Sequence, residues 1–214
     1  MNETALQDGV LARIDEATSN RIEGIVARYP IAEMLREAAS EMARTAPMEL
    51  LPLKDFGTGK MTDLGDGSGT VALPEDFVRL AVFRMKGWSR PVTSPVSEWS
   101  PEYIRQLNPV TRGGPAKPVV ALTNDGEGLK LRWFSLPHGW PRKVEEALYV
   151  TDMEPEEVPE GLCDALCWLA ASMVLAVTAE PQAAAWARER YDLSMAQRTA
   201  TTGAALPTLN NERK

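Results

Sequence analysis

The residues able to do chemistry are few and scattered. Cys163 and Cys167 stand one helical turn apart, where regular helix geometry is poor for a disulfide between them. They could form half of a zinc site, yet the only histidine is His138 and no second cysteine pair exists. Both therefore read as small apolar core residues in a reducing compartment. His138 sits in LPHGWP and reads as an exposed loop residue, with no pattern around it that would make it a general base. GTGK at Gly57–Lys60 has the look of a phosphate loop. It lacks the full glycine spacing, carries Met61 where Ser or Thr should follow the lysine, and lies between expected strands rather than at a helix start. No G-x-S-x-G elbow occurs. Asp63 with Asp66, and Asp125 with Glu127, miss the spacing of a calcium loop and read as turns. Glu154, Glu156, Glu157 and Glu160 precede the most apolar stretch, where negative charge suits a helix N-terminus. An enzyme working through Asp or Glu would need two carboxylates converging in a pocket, and the spacing suggests none. The expectation is no enzyme, no metal and no cofactor.

Six tryptophans remain. Trp168 and Trp186 fall in helical sequence; Trp88, Trp99, Trp133 and Trp140 fall in a β region. The three beside Ser, Pro or Gly (Trp88, Trp99, Trp140) read as local packing clasps. Exposed ones would mark protein–protein contact, because tryptophan is over-represented at interface centres.

The elements that must position these residues are organised around Pro159–Arg198. Leu162, Leu166, Leu169, Met173 and Val177 form a helical stripe, and Trp168, Ala171 and Leu175 line a second face. A helix apolar on nearly every side is buried on nearly every side. Its apolar core, Ala165 to Val177 with one serine, falls short of the roughly 20 residues a bilayer needs, so it reads as the central helix of a soluble core, one that a neighbouring subunit could complete. Pro181 restarts a helix over PQAAAWARERYDLSMAQR, with Ala184, Ala187, Tyr191 and Met195 on one stripe, giving an antiparallel hairpin. Residues 3 to 45 read as helices, with Ser19 or Asn20 as N-cap of a restart, Glu23 as capping-box partner if Asn20 is the cap, and PIAEMLREAASEMART as the clearest amphipathic segment. From Met48 to about Thr151 glycine and proline become frequent and apolar residues alternate. Strands are expected at Glu49–Leu53, Gly69–Leu73, Phe77–Lys86, Pro118–Leu122, Leu129–Phe134 and Ala147–Thr151. Hairpin loops are expected at DLGDGSG and TNDGEG, with a short helix in SPEYIRQLN capped by Ser100. After Arg198 periodicity fades. That end reads either as a frayed terminus or as an arm that orders on a partner, anchored by Leu206 and Leu209.

The fold expected is therefore α+β: a helical bundle formed by N-terminal helices (1–47) and a C-terminal helical hairpin (152–198), with an inserted antiparallel β region (48–151) and a C-terminal arm (199–214). Its 214 residues can bury a core without staples. A net charge of −7 argues against a non-specific grip on phosphates, though not against a surface that DNA merely passes. The N-terminus MNETALQDG is polar and acidic and does not read as a signal peptide, so a cytoplasmic product is expected.

Three phrases carry a resemblance: AEMLREAASEMARTAPMELLP, VALPEDFVRLAVFRMKGWSRPV and VPEGLCDALCWLAASMVLAVTAEPQAAAWARERYDLSMAQ. With the order helices, β region, helical hairpin, polar tail, the chain resembles tailed-bacteriophage head-to-tail adaptor (connector or neck ring) proteins over roughly Ile31 to Gln197. The resemblance implies a structural virion protein made in the host cytoplasm: a homo-oligomeric ring of about twelve copies between the portal protein and the tail or next neck protein. DNA would pass through its channel without specific binding, and no membrane is involved. It would place portal contacts on the arm, at Leu206, Pro207 and Leu209, and subunit contacts on the helical core, at Trp168, Leu175, Trp186 and Tyr191. The alternative is a phage assembly factor, or a soluble protein-binding module, not retained in the virion.

Overall fold

In the computed structural model, residues 1–18, 31–57, 61–126, 128–134, 136–137, 139–178 and 180–205 are described, with the backbone alone for 202–205. They fall into two units, Met1–Pro52 with Asp152–Lys214, and Leu53–Thr151. The helical unit holds α1 (Glu3–Thr18), α2 (Ile31–Thr45), α4 (Cys163–Val177) and α5 (Pro181–Ala205); α3 (Pro101–Leu107) belongs to the β unit.

In α4, eleven of fifteen residues are buried. The apolar sequence forces this, because α1, α2 and α5 all pack against it. Helix α1 presents Leu6, Val10 and Ile14, one every fourth residue, and α2 presents Ile31, Leu35, Ala38, Ala39, Met42 and Ala43. The approach of α1 to α4 is close: a Cβ on Gly9 would stand 2.8 Å from Cys167 Sγ. The 18 residues Glu160–Val177, of mean hydropathy 1.6, have the length and composition to cross a membrane, a longer run than the Ala165–Val177 core suggests; 67% of the stretch is buried inside the chain, as a core helix is.

The acidic run does not cap α4. Glu157 accepts the Glu154 N–H at 3.1 Å within a 3-10 turn, Pro155–Glu157, and a second such turn, Glu160–Leu162, intervenes. The negative charge in the first turn of α4 is Asp164. Helix α5 continues past the expected end at Arg198 through residues 199–205. The apolar stripe stops at Met195, the last buried residue of α5 among the described side chains, but the backbone ladder does not. Small residues allow it to continue, and the Thr199 and Thr201 hydroxyls donate back to the carbonyls of Met195 and Gln197.

The β unit holds two sheets. One has the order β1 (Leu53–Asp55), β8 (Val144–Thr151), β4 (Phe77–Met85), all antiparallel. The other has the order β2 (Met61–Asp63), β3 (Gly69–Ala72), β7 (Leu129–Trp133), β6 (Val120–Asn124), β5 (Val96–Ser97), with β5 parallel to β6. Leu80, Phe83, Met85 and Tyr149 from the first, Phe56 just after β1, and Val71, Val120, Leu131 and Trp133 from the second share one core. The register of β4 against β8 slips three times, the bulged geometry that bends and twists a strand. The loop Asp63–Gly69 closes the β2–β3 hairpin, with Gly65 and Gly67 at φ 78° and 82°. Ser100 caps α3 as its sequence predicts, its Oγ accepting the Tyr103 N–H at 3.2 Å.

These findings correct the expected fold. The chain is α+β, but it is not a helical bundle with an antiparallel insertion. Five α-helices accompany eight strands in two sheets among the described residues; one strand pair is parallel, and one helix lies in the β unit. The reason is the second core. Alternation in short strands shows that a face is buried, not that two sheets bury their faces on each other. The expected strand at Glu49–Leu53 is a 3-10 turn, Met48–Leu50, and β1 begins only at Leu53. Strands β2 and β5, of three and two residues, are too short to show a period.

Candidate functional site

In the helical unit Trp168 and Trp186 meet edge to face at 5.3 Å. Arg190 lies over both rings, at 5.7 and 5.3 Å, and Arg13 lies over Trp168 at 5.2 Å. Arg13 donates from Nε and Nη2 to Asp164 Oδ1, at 3.2 and 2.6 Å. Trp168, Leu175 and Tyr191 are buried within this unit and Trp186 is half-buried. Leu206, Pro207 and Leu209 lie outside the described residues, as do His138, Glu127, Thr58–Lys60 of GTGK, and Ser19 and Asn20 with Glu23.

In the β unit Asp76, from the phrase LPEDF, accepts three donors: Tyr149 Oη at 2.8 Å, Thr151 Oγ1 at 2.7 Å and Lys54 Nζ at 2.9 Å. The Thr151 hydroxyl, Lys54 and the Tyr149 hydroxyl hold its carboxyl far below the usual range. Burial, reinforced by Asp76, pushes the Tyr149 phenol up to about 12. These groups tie the loop before β4 to β1 and β8, and their bonding capacity is used in doing so. Among the described residues no group of three His, Cys, Asp or Glu side chains could hold a metal ion.

What stands open to a partner is the segment around α3. Trp99 is 86% exposed, Ile104 64%, Leu107 46% and Val110 91%. Ile104 and Leu107, three apart, share a face of α3. The backbone carrying these side chains is tightly held. Ser100 Oγ donates to Ser97 O at 2.7 Å, and Asn108 Oδ1 accepts the Val110 N–H at 2.9 Å. Arg112, its side chain only 8% exposed, donates from Nε to Gln106 O at 2.7 Å and from Nη2 to Asp66 Oδ2 at 3.0 Å. Burial works to raise the Asp66 carboxyl; Ser68 and Arg112 outweigh it and hold the group below its ordinary value. Gln106, itself buried, accepts the Gly113 N–H at 2.9 Å. Beyond α3, a cleft of about 470 Å³ opens between Gly67, Pro109, Gly114, Pro115, Leu136 and Pro137. Its wall is tight at Gly67, where a Cβ would stand 2.6 Å from Leu136 O.

The loop tryptophans thus divide. Trp88 is buried, a packing clasp. Trp140 lies against Gly87, where a Cβ would meet its ring at 2.4 Å. Trp99 alone of the three is almost fully exposed. Ile104, Leu107 and Val110 escape a reading of the sequence, because a seven-residue helix gives too few turns to separate an exposed apolar face from a buried one. No protein-family model matches the chain, and no curated protein matches it.

Proposed function

We propose that the chain is a structural virion protein, a head-to-tail adaptor that acts by assembly: its copies form a ring between portal and tail that continues the DNA channel in the virion neck. The observation that carries this reading is the apolar segment Trp99–Val110, exposed yet pinned by Ser100, Asn108 and Arg112. Large apolar side chains exposed along one short, rigidly held segment favour protein contact. The layout and phrasing of the sequence favour phage adaptors, and a net charge of −7 suits a conduit that does not retain DNA.

The test is quantitative mass spectrometry of purified virions, with electron microscopy of the neck. The adaptor reading expects the protein at a ring's copy number relative to portal. Its absence from finished particles would sink that reading and leave the assembly factor, which must be present during morphogenesis and gone afterwards.

A further inference from the structure

Resting on the ring reading, we propose that copies of this chain join through the α3 segment, with Trp99 of one copy seated in the cleft lined by Gly67, Pro115 and Leu136 of the next. The knob and the hole lie on opposite sides of one short helix in sequence: Trp99 precedes Pro101–Leu107, and Pro109, Gly114 and Pro115 follow it. A projecting group and a separate receptor can pair reciprocally across a two-fold axis or run head to tail from copy to copy; the ring reading selects the head-to-tail mode, the kind that closes into rings. The cleft, at about 470 Å³, lies within the size range of small-molecule pockets, roughly 300–1,000 Å³. Pro109, Pro115, Leu136 and Pro137 offer apolar walls to an indole, beside the paired Asp66 and Arg112 that also line the cleft, and an aromatic side chain buries roughly 150–250 Å². The areas also point to a second copy. Trp99, Ile104, Leu107 and Val110 together expose on the order of 500 Å² of side chain, the larger part of the ~800 Å² per partner in a standard interface. The receiving cleft, on the same unit of every copy, supplies the facing surface. The pinned backbone of residues 97–112 means that little order has to be imposed when the contact forms.

The experiment uses the full chain and two variants, each chosen to spare the fold. Trp99→Ser removes the knob at a position 86% exposed. Gly114→Phe fills the hole at a position where a Cβ meets no atom within 4 Å. Sedimentation velocity over a concentration series, with thermal melts as the control for folding, reads the result. The wild type is expected to associate, and each variant alone to remain monomeric with an unchanged melting temperature. An equimolar mixture of the two variants should form pairs and stop, because it restores one knob and one hole. A wild-type chain that stays monomeric to its solubility limit overturns the contact. So does a folded variant that associates like wild type, or a mixture that does not pair. A virion that holds the protein at ring stoichiometry while Trp99→Ser assembles normally would leave the adaptor reading standing and remove this contact alone.

Discussion

The carboxylate of Asp76 gathers donors that lie 22, 73 and 75 positions away in the chain. That separation explains why the phrase LPEDF stands out in the sequence while the role of its aspartate does not: the role is created by the register of β8. Asp76→Asn is expected to leave Tyr149, Thr151 and Lys54 with a weaker acceptor and to cost about 1 kcal/mol at pH 7, allowing for solvent screening at a partly exposed carboxylate. The folded-state carboxyl is depressed, so its contribution is complete above the unfolded value near 4 and is lost as pH falls through the folded value. Chemical denaturation of both proteins should therefore show the gap at pH 7 closing progressively below about pH 4; a gap constant with pH would show that the charge on Asp76 is not what stabilises. The thiols make a second case. Burial pushes Cys163 up and Cys167 up to about 11, with Arg13 pulling the latter back only in part. A thiol reagent at pH 8 is expected to label neither in the native protein and both in denaturant. Rapid native labelling would contradict their burial.

At the scale of the element, the crossing of α1 and α4 sets two effects against each other. Alanine for glycine inside a helix stabilises by about 1 kcal/mol, but at Gly9 the new methyl would stand 2.8 Å from Cys167 Sγ, and overpacking costs about 1–3 kcal/mol. Gly9→Ala should lower the melting temperature, while Gly9→Ala with Cys167→Ala should recover it beyond Cys167→Ala alone. Additivity in that cycle would mean that the helices are not in contact there. Periodicity made α2 and α4 legible, because long helices repeat their pattern several times. Turn chemistry did the same for the Asp63–Gly69 hairpin and for the Ser100 cap. It did not reveal that two sheets share a core around Phe83 and Trp133, nor that Val96–Ser97 pairs parallel to β6. Both facts depend on partners that local sequence does not name. The exposed surface was not legible: Trp99, flanked by Glu and Ser-Pro, has the sequence context of a packing clasp, yet it is 86% exposed.

Across the whole molecule, the β unit begins and ends in paired strands: Leu53 lies opposite Val150, and Thr151 opposite Phe77. Its ends leave side by side, and its core needs no residue from outside Leu53–Thr151. A fragment of residues 52–152 should therefore unfold cooperatively on its own, with a sharp thermal transition and dispersed amide resonances. A fragment lacking both would show that the unit depends on the helices.

The same arrangement has a consequence for synthesis. Helices α1 and α2 leave the ribosome before the β unit, yet the helix they bury against starts at Cys163, roughly 120 residues after α2 ends at Thr45. At about 5–20 residues per second they wait roughly 6–24 s with Leu6, Val10, Leu35 and Met42 exposed, while the whole β unit emerges and can close behind them. The N-terminal helices are then made before the β unit yet buried only after it, and they need shielding in the interval.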